Sequence, residues 1–139
     1  MNQEVIIGID LGATNIRGGL VAGKRITATQ ARAIRSKGTV EEVLQDIFSI
    51  VDLLINKSVA AIGIGVPSVV DVENGIVYDV QYIPSWKEVH LKEIMEKRYA
   101  VPVFVNNDAN CFALGEFYFG KGIDAEHMIG LTIGTGIGA

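Results

Sequence analysis

Four short stretches of this 139-residue sequence gather residue types that can do chemistry. In Asp10-Leu11-Gly12-Ala13-Thr14-Asn15 a carboxylate, a hydroxyl, an amide and a nearly bare backbone fall together. Phosphate binding needs converging backbone N–H groups that bulky side chains would block, and Gly12 and Ala13 keep that approach open. Thr14 and Asn15 can add hydrogen bonds to phosphoryl oxygens, and Asp10 suits a Mg2+ ion held directly or through water. The same residues also suit a polar hairpin with Asp and Asn in turn positions. Gly134-Thr135-Gly136-Ile137-Gly138 repeats the logic after an apolar run. Alone it is a weak signal, because a tight connection uses such glycines too. Two such turns reinforce each other, since a nucleotide offers phosphates to grip from two sides.

The third stretch, Asn106-Asn107-Asp108-Ala109-Asn110, reads as a strand-to-helix junction. Asp108 fits a helix N-cap. It also fits a carboxylate held ionised by the helix N-terminus. Such a group can take the proton from a substrate hydroxyl as it attacks a phosphoryl group. The fourth, Gly65-Val66-Pro67, ends another strand. Ligands of an open α/β sheet sit beyond the carboxyl ends of its strands, so Asp10, Gly65 and Asp108 would share one crevice. Of the remaining candidates, Trp86 suits either the apolar face of a sugar or a half-buried core position. His90 and His127 lack an inferable carboxylate partner. Cys111 reads as a small packing residue, and Glu116 as either solvent-facing or structural.

The elements that must position these groups are legible. Residues 4–10, 16–23 and 25–34 read as an antiparallel meander of strands. The run Val5, Ile6, Ile7, Ile9, Leu11 suggests a first strand buried on both faces. Thr39 and Glu42 form a capping box, opening a helix with Val40, Val43, Leu44, Ile47, Ile50, Val51, Leu54 and Ile55 on one face. Residues 60–66 read as a fourth strand, also buried on both faces. A small hairpin turns at Asn74-Gly75. Leu91, Ile94, Met95 and Tyr99 mark a short helix that Pro102 prevents from continuing. A fifth strand (103–105), a helix stopping near Gly120 and a strand at 128–133 complete the chain. The order βββαβαβα, then β, predicts an α/β fold: a five-stranded mixed sheet with helices on both faces. Residues 1–124 form that lobe. Residues 125–139, whose strand and glycine turn lack a partner, are expected to begin a second lobe.

The totals exclude several classes. Net charge is −4, and no basic cluster marks a general nucleic-acid binder. Hydrophobic residues make up 49% and charged residues 20%, as in a globular chain. The single cysteine builds neither a disulfide framework nor a zinc site. The N-terminus lacks a signal-peptide pattern, and no apolar run approaches the ~18 residues of a membrane span. The expected compartment is the cytoplasm, with no membrane partner.

Asp10-Leu11-Gly12-Ala13-Thr14-Asn15 resembles the first phosphate motif of the actin/hexokinase/chaperone ATPase superfamily. Gly63-Ile64-Gly65-Val66-Pro67, Val70-Asp71 and Gly75, then Asn107-Asp108-Ala109-Asn110 with Ala113-Leu114-Gly115-Glu116, narrow the resemblance to the ROK family. Leu131 to Ala139 resembles the opening of that family's signature. The family holds bacterial glucokinases, fructokinases and N-acetylhexosamine kinases, together with sugar-responsive repressors.

The resemblance implies the N-terminal lobe of a two-lobed sugar kinase of ribonuclease-H-like (actin-like ATPase) fold, truncated before the second lobe. Such a kinase moves the γ-phosphoryl group of ATP to a hexose hydroxyl. Asp108 matches the catalytic base and Asn107 a sugar-binding residue. Gly65, Pro67 and Ser68 match the segment lining the sugar pocket, although relatives carry Gly where this chain has Ser68. Asp10, Gly12, Ala13, Thr14 and Asn15 match the first phosphate loop, and Gly134, Thr135 and Gly136 the second. The expected cofactors are ATP and Mg2+, the metal at Asp10, with a structural zinc site in the absent half. The expected partners are a hexose, a nucleotide and a second copy in a homodimer. The lobe alone is expected to be inactive. The alternatives are a sugar-sensing ROK-type transcriptional regulator and a non-catalytic sugar-binding protein. Regulators carry a helix-turn-helix domain before the sugar-binding region. A first strand beginning near residue 4 leaves no room for one, so nucleic acid is not an expected partner.

Overall fold

A computed structural model describes residues 4–134 and 137–139. The expected meander is β1 (Val5–Leu11), β2 (Asn15–Ala22) and β3 (Arg25–Ala33). α1 (Val40–Leu54) follows. It opens on the predicted capping box, in which Glu42 N–H donates to the Thr39 hydroxyl and Thr39 N–H donates to Glu42 Oε2 at 2.9 Å. Next come β4 (Val59–Val66), then β5 (Val69–Asp71) and β6 (Ile76–Tyr78), which turn through Gly75 at φ 64°. β7 (Glu88–Val89) adds a third strand to that hairpin, one that the sequence pattern does not signal. α2 (Leu91–Tyr99), β8 (Val103–Asn107) and α3 (Asp108–Phe119) complete the main body.

The main sheet runs β3-β2-β1-β4-β8. β4 lies parallel to both β1 and β8, so three carboxyl ends reach one edge of the sheet. That edge is where an open α/β sheet presents its ligand crevice. The core lies on one face, where Val43, Ile47, Ile50 and Val51 of α1 pack on Ile7, Ile9, Leu11 and Ile16. α2 joins the same layer. Its Tyr99 meets Phe48 edge-on, and Arg98 pairs with Asp52 at 2.9 Å.

Two expectations need correction. β1 and β4 are not buried on both faces. Ile7, Ile9 and Leu11 are buried, but Ile6 is 43% exposed, and an added Cβ at Gly8 or Gly63 would meet open space. Helices do sit on both faces, unequally: α3 alone covers the second, over Gly65 at the carboxyl end of β4. A continuous apolar run shows that a strand is central. It does not show that a second layer is present. The strand expected at 128–133 shrinks to β9 (Thr132–Ile133), which among the described residues pairs only with β10 (Ile137–Gly138). Ile129 is 87% and Ile133 83% exposed, since among the described residues neither has an apolar surface to pack against.

A buried carboxylate joins β3 to α1. Asp46 is fully buried and accepts hydrogen bonds from Arg35 N–H (2.8 Å), Nε (3.1 Å) and Nη2 (2.9 Å). Burial pushes this carboxyl up, but the Arg35 hydrogen bonds and the Arg35 and Arg32 charges more than offset it, so it lies below its usual 3.8. A depressed value stabilises the fold above the unfolded-state value and stops doing so as pH falls through the folded one. Asp46→Ala is expected to cost about 3 kcal/mol near neutrality. Urea midpoints read that loss, and the gap between wild type and variant should narrow as pH falls below the unfolded-state carboxylate value and through the lower folded one.

Candidate active site

Asp10 is the penultimate residue of β1 and is exposed at the sheet edge. The chain then folds into a tight loop in which Gly12 N–H donates to Asn15 C=O at 2.9 Å. Thr14 C=O accepts from Ile34 N–H at 3.0 Å, which ties the loop to the end of β3. Thr14 and Asn15 are exposed, and the Asn15 amide donates to the Thr14 hydroxyl at 3.1 Å.

The β8–α3 junction is capped by Asn107 rather than by Asp108, a correction to the first of the two readings of Asp108. Asn107 Oδ1 accepts from Ala109 N–H (2.9 Å) and Asn110 N–H (3.3 Å). Asp108 is already the first helical residue, with Oδ1 2.8 Å from Ala109 N. β8 extends to Asn107 because Gly65 and Val66 of β4 pair with Asn106 and Asn107. Asn107 Nδ2 donates to Ser68 C=O at 3.2 Å. The Ser68 hydroxyl in turn donates to Tyr78 C=O. Ser68 thus ties the small sheet to β4 and orients Asn107, a role invisible in its local sequence.

A crevice of about 820 Å3 brings together Asp10, Gly12, Ala13, Pro67, Ser68, Asn107, Asp108 and Gly134. An adjoining, mainly apolar cavity of about 1180 Å3 lies over the open sheet face and shares Asp10 and Asp108. Gly65 lines this second space, where α3 crosses it closely: a Cβ there would lie 3.5 Å from both Asp108 Cα and Cys111 Sγ. Thr14 and Asn15 line neither space, and Thr135 and Gly136 fall outside the described residues.

Residues 6–139 match the model of the ROK family. The chain belongs to the ROK family. A glucokinase of Thermotoga maritima is 37% identical over 140 residues, spanning 99% of this chain and 44% of the relative. A xylose repressor of Caldicellulosiruptor bescii is 32% identical over 149 residues, spanning all of this chain and 37% of the relative. Among solved structures, a ROK family glucokinase of Streptomyces griseus in complex with glucose and AMPPNP superposes with a TM-score of 0.86 at 36% identity, over 96% of this chain and 43% of that one. This ROK chain therefore spans less than half the length of these relatives. Its five-stranded mixed sheet is a ribonuclease-H-like lobe of the actin-like ATPase fold.

Sequence reasoning does not place three further residues in the adjoining cavity: Arg17 is not singled out, Asn106 enters only as part of its stretch, and Cys111 reads as packing. Arg17, Asn106 and Cys111 line the cavity beside Asp10 and Asp108. Strand alternation signals the first two: Arg17 is in register with Asp10, Asp10 with Gly65, and Gly65 with Asn106, so all lie in one row. Cys111 was expected to be a small packing residue. It is exposed, and partial burial followed by the Asp108 and Asp10 charges raises its thiol above the ordinary value, so it stays protonated. Trp86, by contrast, is fully buried and unavailable to a sugar. His90 does have a carboxylate, Glu88 at 3.0 Å. Glu116 accepts from Lys121 N–H at 3.0 Å and closes the end of α3.

Asp10 titrates above its usual 3.8, first because the crevice walls desolvate it and then because of Asp108, with Arg17 opposing. Among the described residues no three His, Cys, Asp or Glu side chains converge as a metal cage. Mg2+ does not need one. It is commonly held by one or two carboxylates and completed by water and substrate phosphates. A desolvated carboxylate beside a second carboxylate fits such an ion.

Proposed function

We propose that these residues are the N-terminal lobe of an ATP-dependent hexose kinase, with residues 1–124 as the lobe and 125–139 opening a second. The observation that carries this reading is the meeting of Asp108, Asn107, Asp10 and the Gly12-Ala13 backbone in one crevice. Asp108 Oδ1 is turned toward the Ala109 N–H. Its Oδ2 takes the proton from the attacking hexose hydroxyl. One Asn107 amide proton is spent on Ser68. The other donates to the sugar, which Pro67 and Ser68 flank in the same crevice, with Gly65 in the adjoining cavity behind Asp108. Gly12 and Ala13 present bare backbone to the phosphates, with Thr14 and Asn15 next to them in the same loop, and Gly134 lines the crevice from the other side at the start of the second glycine loop that Thr135 and Gly136, outside the described residues, continue in sequence. Asp10 would hold the Mg2+ that accompanies ATP and neutralises phosphoryl oxygens. No helix among the described residues is long and apolar enough to cross a membrane. A cytoplasmic homodimer acting on a free hexose accompanies this reading.

The likeness to a xylose repressor favours one other reading, a sugar sensor without transfer. A coupled ADP assay of the full-length protein with ATP, Mg2+ and a hexose panel separates the two. ADP release dependent on at least one hexose is expected. Sugar binding by calorimetry without ADP release from any hexose would establish the sensor instead.

A further inference from the structure

Ser68 commits each of its polar groups. Its N–H donates to Val66 C=O at 2.9 Å, its C=O accepts from Asn107 Nδ2 at 3.2 Å, and its hydroxyl donates to Tyr78 C=O. Only the third bond depends on the residue type, since the first two use the backbone. The glycine expected at this position from the family resemblance would lack it. The peptide that receives the hydroxyl joins Tyr78 to Asp79, and its N–H donates to Lys87 C=O at 3.0 Å. It is therefore held at both ends. Directly after it, Asp79 takes a left-handed backbone with φ 45°, uncommon for a residue with a side chain. That bend leads into a loop anchored by Val80, Ile83 and Trp86, all buried. Asp79, Gln81 and Tyr82 of the same loop line the crevice that holds Asn107 and Asp108.

We propose that Ser68 is a positioning residue that sets hexose selectivity, its hydroxyl fixing the 79–82 loop relative to Asn107. Gln81 and Tyr82 each carry a group that can both donate to and accept from a sugar hydroxyl. Epimeric hexoses differ only in the direction of one hydroxyl. A wall free to shift would therefore tell them apart less well than one held in place. Asn107 keeps its bonds to Ala109 N–H and Asn110 N–H when the Ser68 hydroxyl is lost, so α3 and Asp108 should stay where they are. The phosphate loop is tied elsewhere, to the end of β3 through Thr14 C=O and Ile34 N–H. The hexose, not the nucleotide, should therefore feel the loss of this hydroxyl.

This inference rests on the kinase reading, and its test separates the two. Kinetics for MgATP and a hexose panel, with calorimetric hexose Kd values and urea midpoints, are measured on the full-length protein as wild type, Ser68→Ala and Ser68→Thr. Ser68→Ala is expected to raise the KM of the preferred hexose about tenfold, the scale of one hydrogen bond. Its preference for that hexose over the C2 and C4 epimers should fall about fivefold. The KM for MgATP should stay within about twofold, as for a separate site. Ser68→Thr, which keeps the hydroxyl, should recover most of both losses. Ser49→Ala removes a hydroxyl that donates to a backbone carbonyl away from the crevice, Asp46 C=O at 2.7 Å, and controls for lost stability alone. If wild type phosphorylates a hexose and Ser68→Ala keeps both the hexose KM and the epimer preference, the role of Ser68 is overturned and the kinase reading stands. A KM for MgATP that rises as much as the hexose KM, or equal losses in Ser49→Ala, would also overturn it. If wild type binds hexoses without releasing ADP, the kinase reading falls, and the epimer preference in the Kd values of Ser68→Ala decides the role of Ser68. If wild type binds no hexose, both ideas fall together.

Discussion

Asp108→Asn in the full-length protein is expected to lower kcat for hexose phosphorylation by about a thousandfold, within the range for removing a general base. Hexose affinity should change by less than about threefold. The substitution is nearly isosteric and leaves an oxygen that can accept the Ala109 N–H bond now made at 2.8 Å. It takes away only the capacity to accept a proton at Oδ2. The capping geometry makes the result interpretable. Because Asn107 bonds to Ala109 N–H and Asn110 N–H, the start of α3 does not depend on Asp108. Asp108→Ala should therefore leave stability within about 0.5 kcal/mol, while Asn107→Ala should cost about 1 kcal/mol. If Asp108 were the cap, the two costs would be reversed. Undiminished turnover in Asp108→Asn, measured by ADP release at saturating hexose and MgATP, would remove Asp108 from the chemistry.

What could be read from the sequence follows the range of each interaction. The meander, the Thr39–Glu42 box and the Asp10–Asn15 loop depend on residues a few positions apart, and each appears where its local pattern places it. The β8–α3 junction shows where this stops. Asn107 and Asp108 are equally good caps by type. Only the pairing of β8 with β4, some forty residues earlier in the chain, decides that the strand reaches Asn107. Ser68 is similar: its hydroxyl meets Tyr78 C=O across the small sheet. The apolar runs of β1 and β4 identified central strands correctly, but the open face over Gly8 and Gly63 depends on what else packs there. The stretch at 128–133 has strand composition and, among the described residues, no strand but β10 to pair with. Arg17 was within reach of the alternation rule applied from Asp10 across the β1–β2 turn. The site was legible as a set of loops, and the row of side chains between them was not.

Gly12→Ala is expected to weaken MgATP binding by about fiftyfold while leaving hexose affinity nearly unchanged. The reason is backbone geometry. The Gly12 N–H reaches Asn15 C=O at 2.9 Å, and a Cβ on Gly12 would lie only 2.8 Å from that same oxygen. The oxygen cannot easily retreat. Asn15 is the first residue of β2, in register with Ala33, and Thr14 C=O before it is held by Ile34 N–H at 3.0 Å. The loop must open instead, which turns its N–H groups away from the position a phosphate would take. Overpacking of this kind costs about 1–2 kcal/mol, so the variant should still fold, with a modestly lowered urea midpoint. Asn107, Ser68 and the β8–α3 junction are joined by hydrogen bonds of their own and should hold the sugar as before. The two variants therefore fail differently. Loss of Asp108 should appear in kcat at saturating MgATP, and loss of Gly12 should appear first in the KM for MgATP and in the calorimetric Kd for MgAMPPNP. If Gly12→Ala binds the nucleotide within about threefold of wild type, the loop is a polar hairpin and the phosphates lie elsewhere.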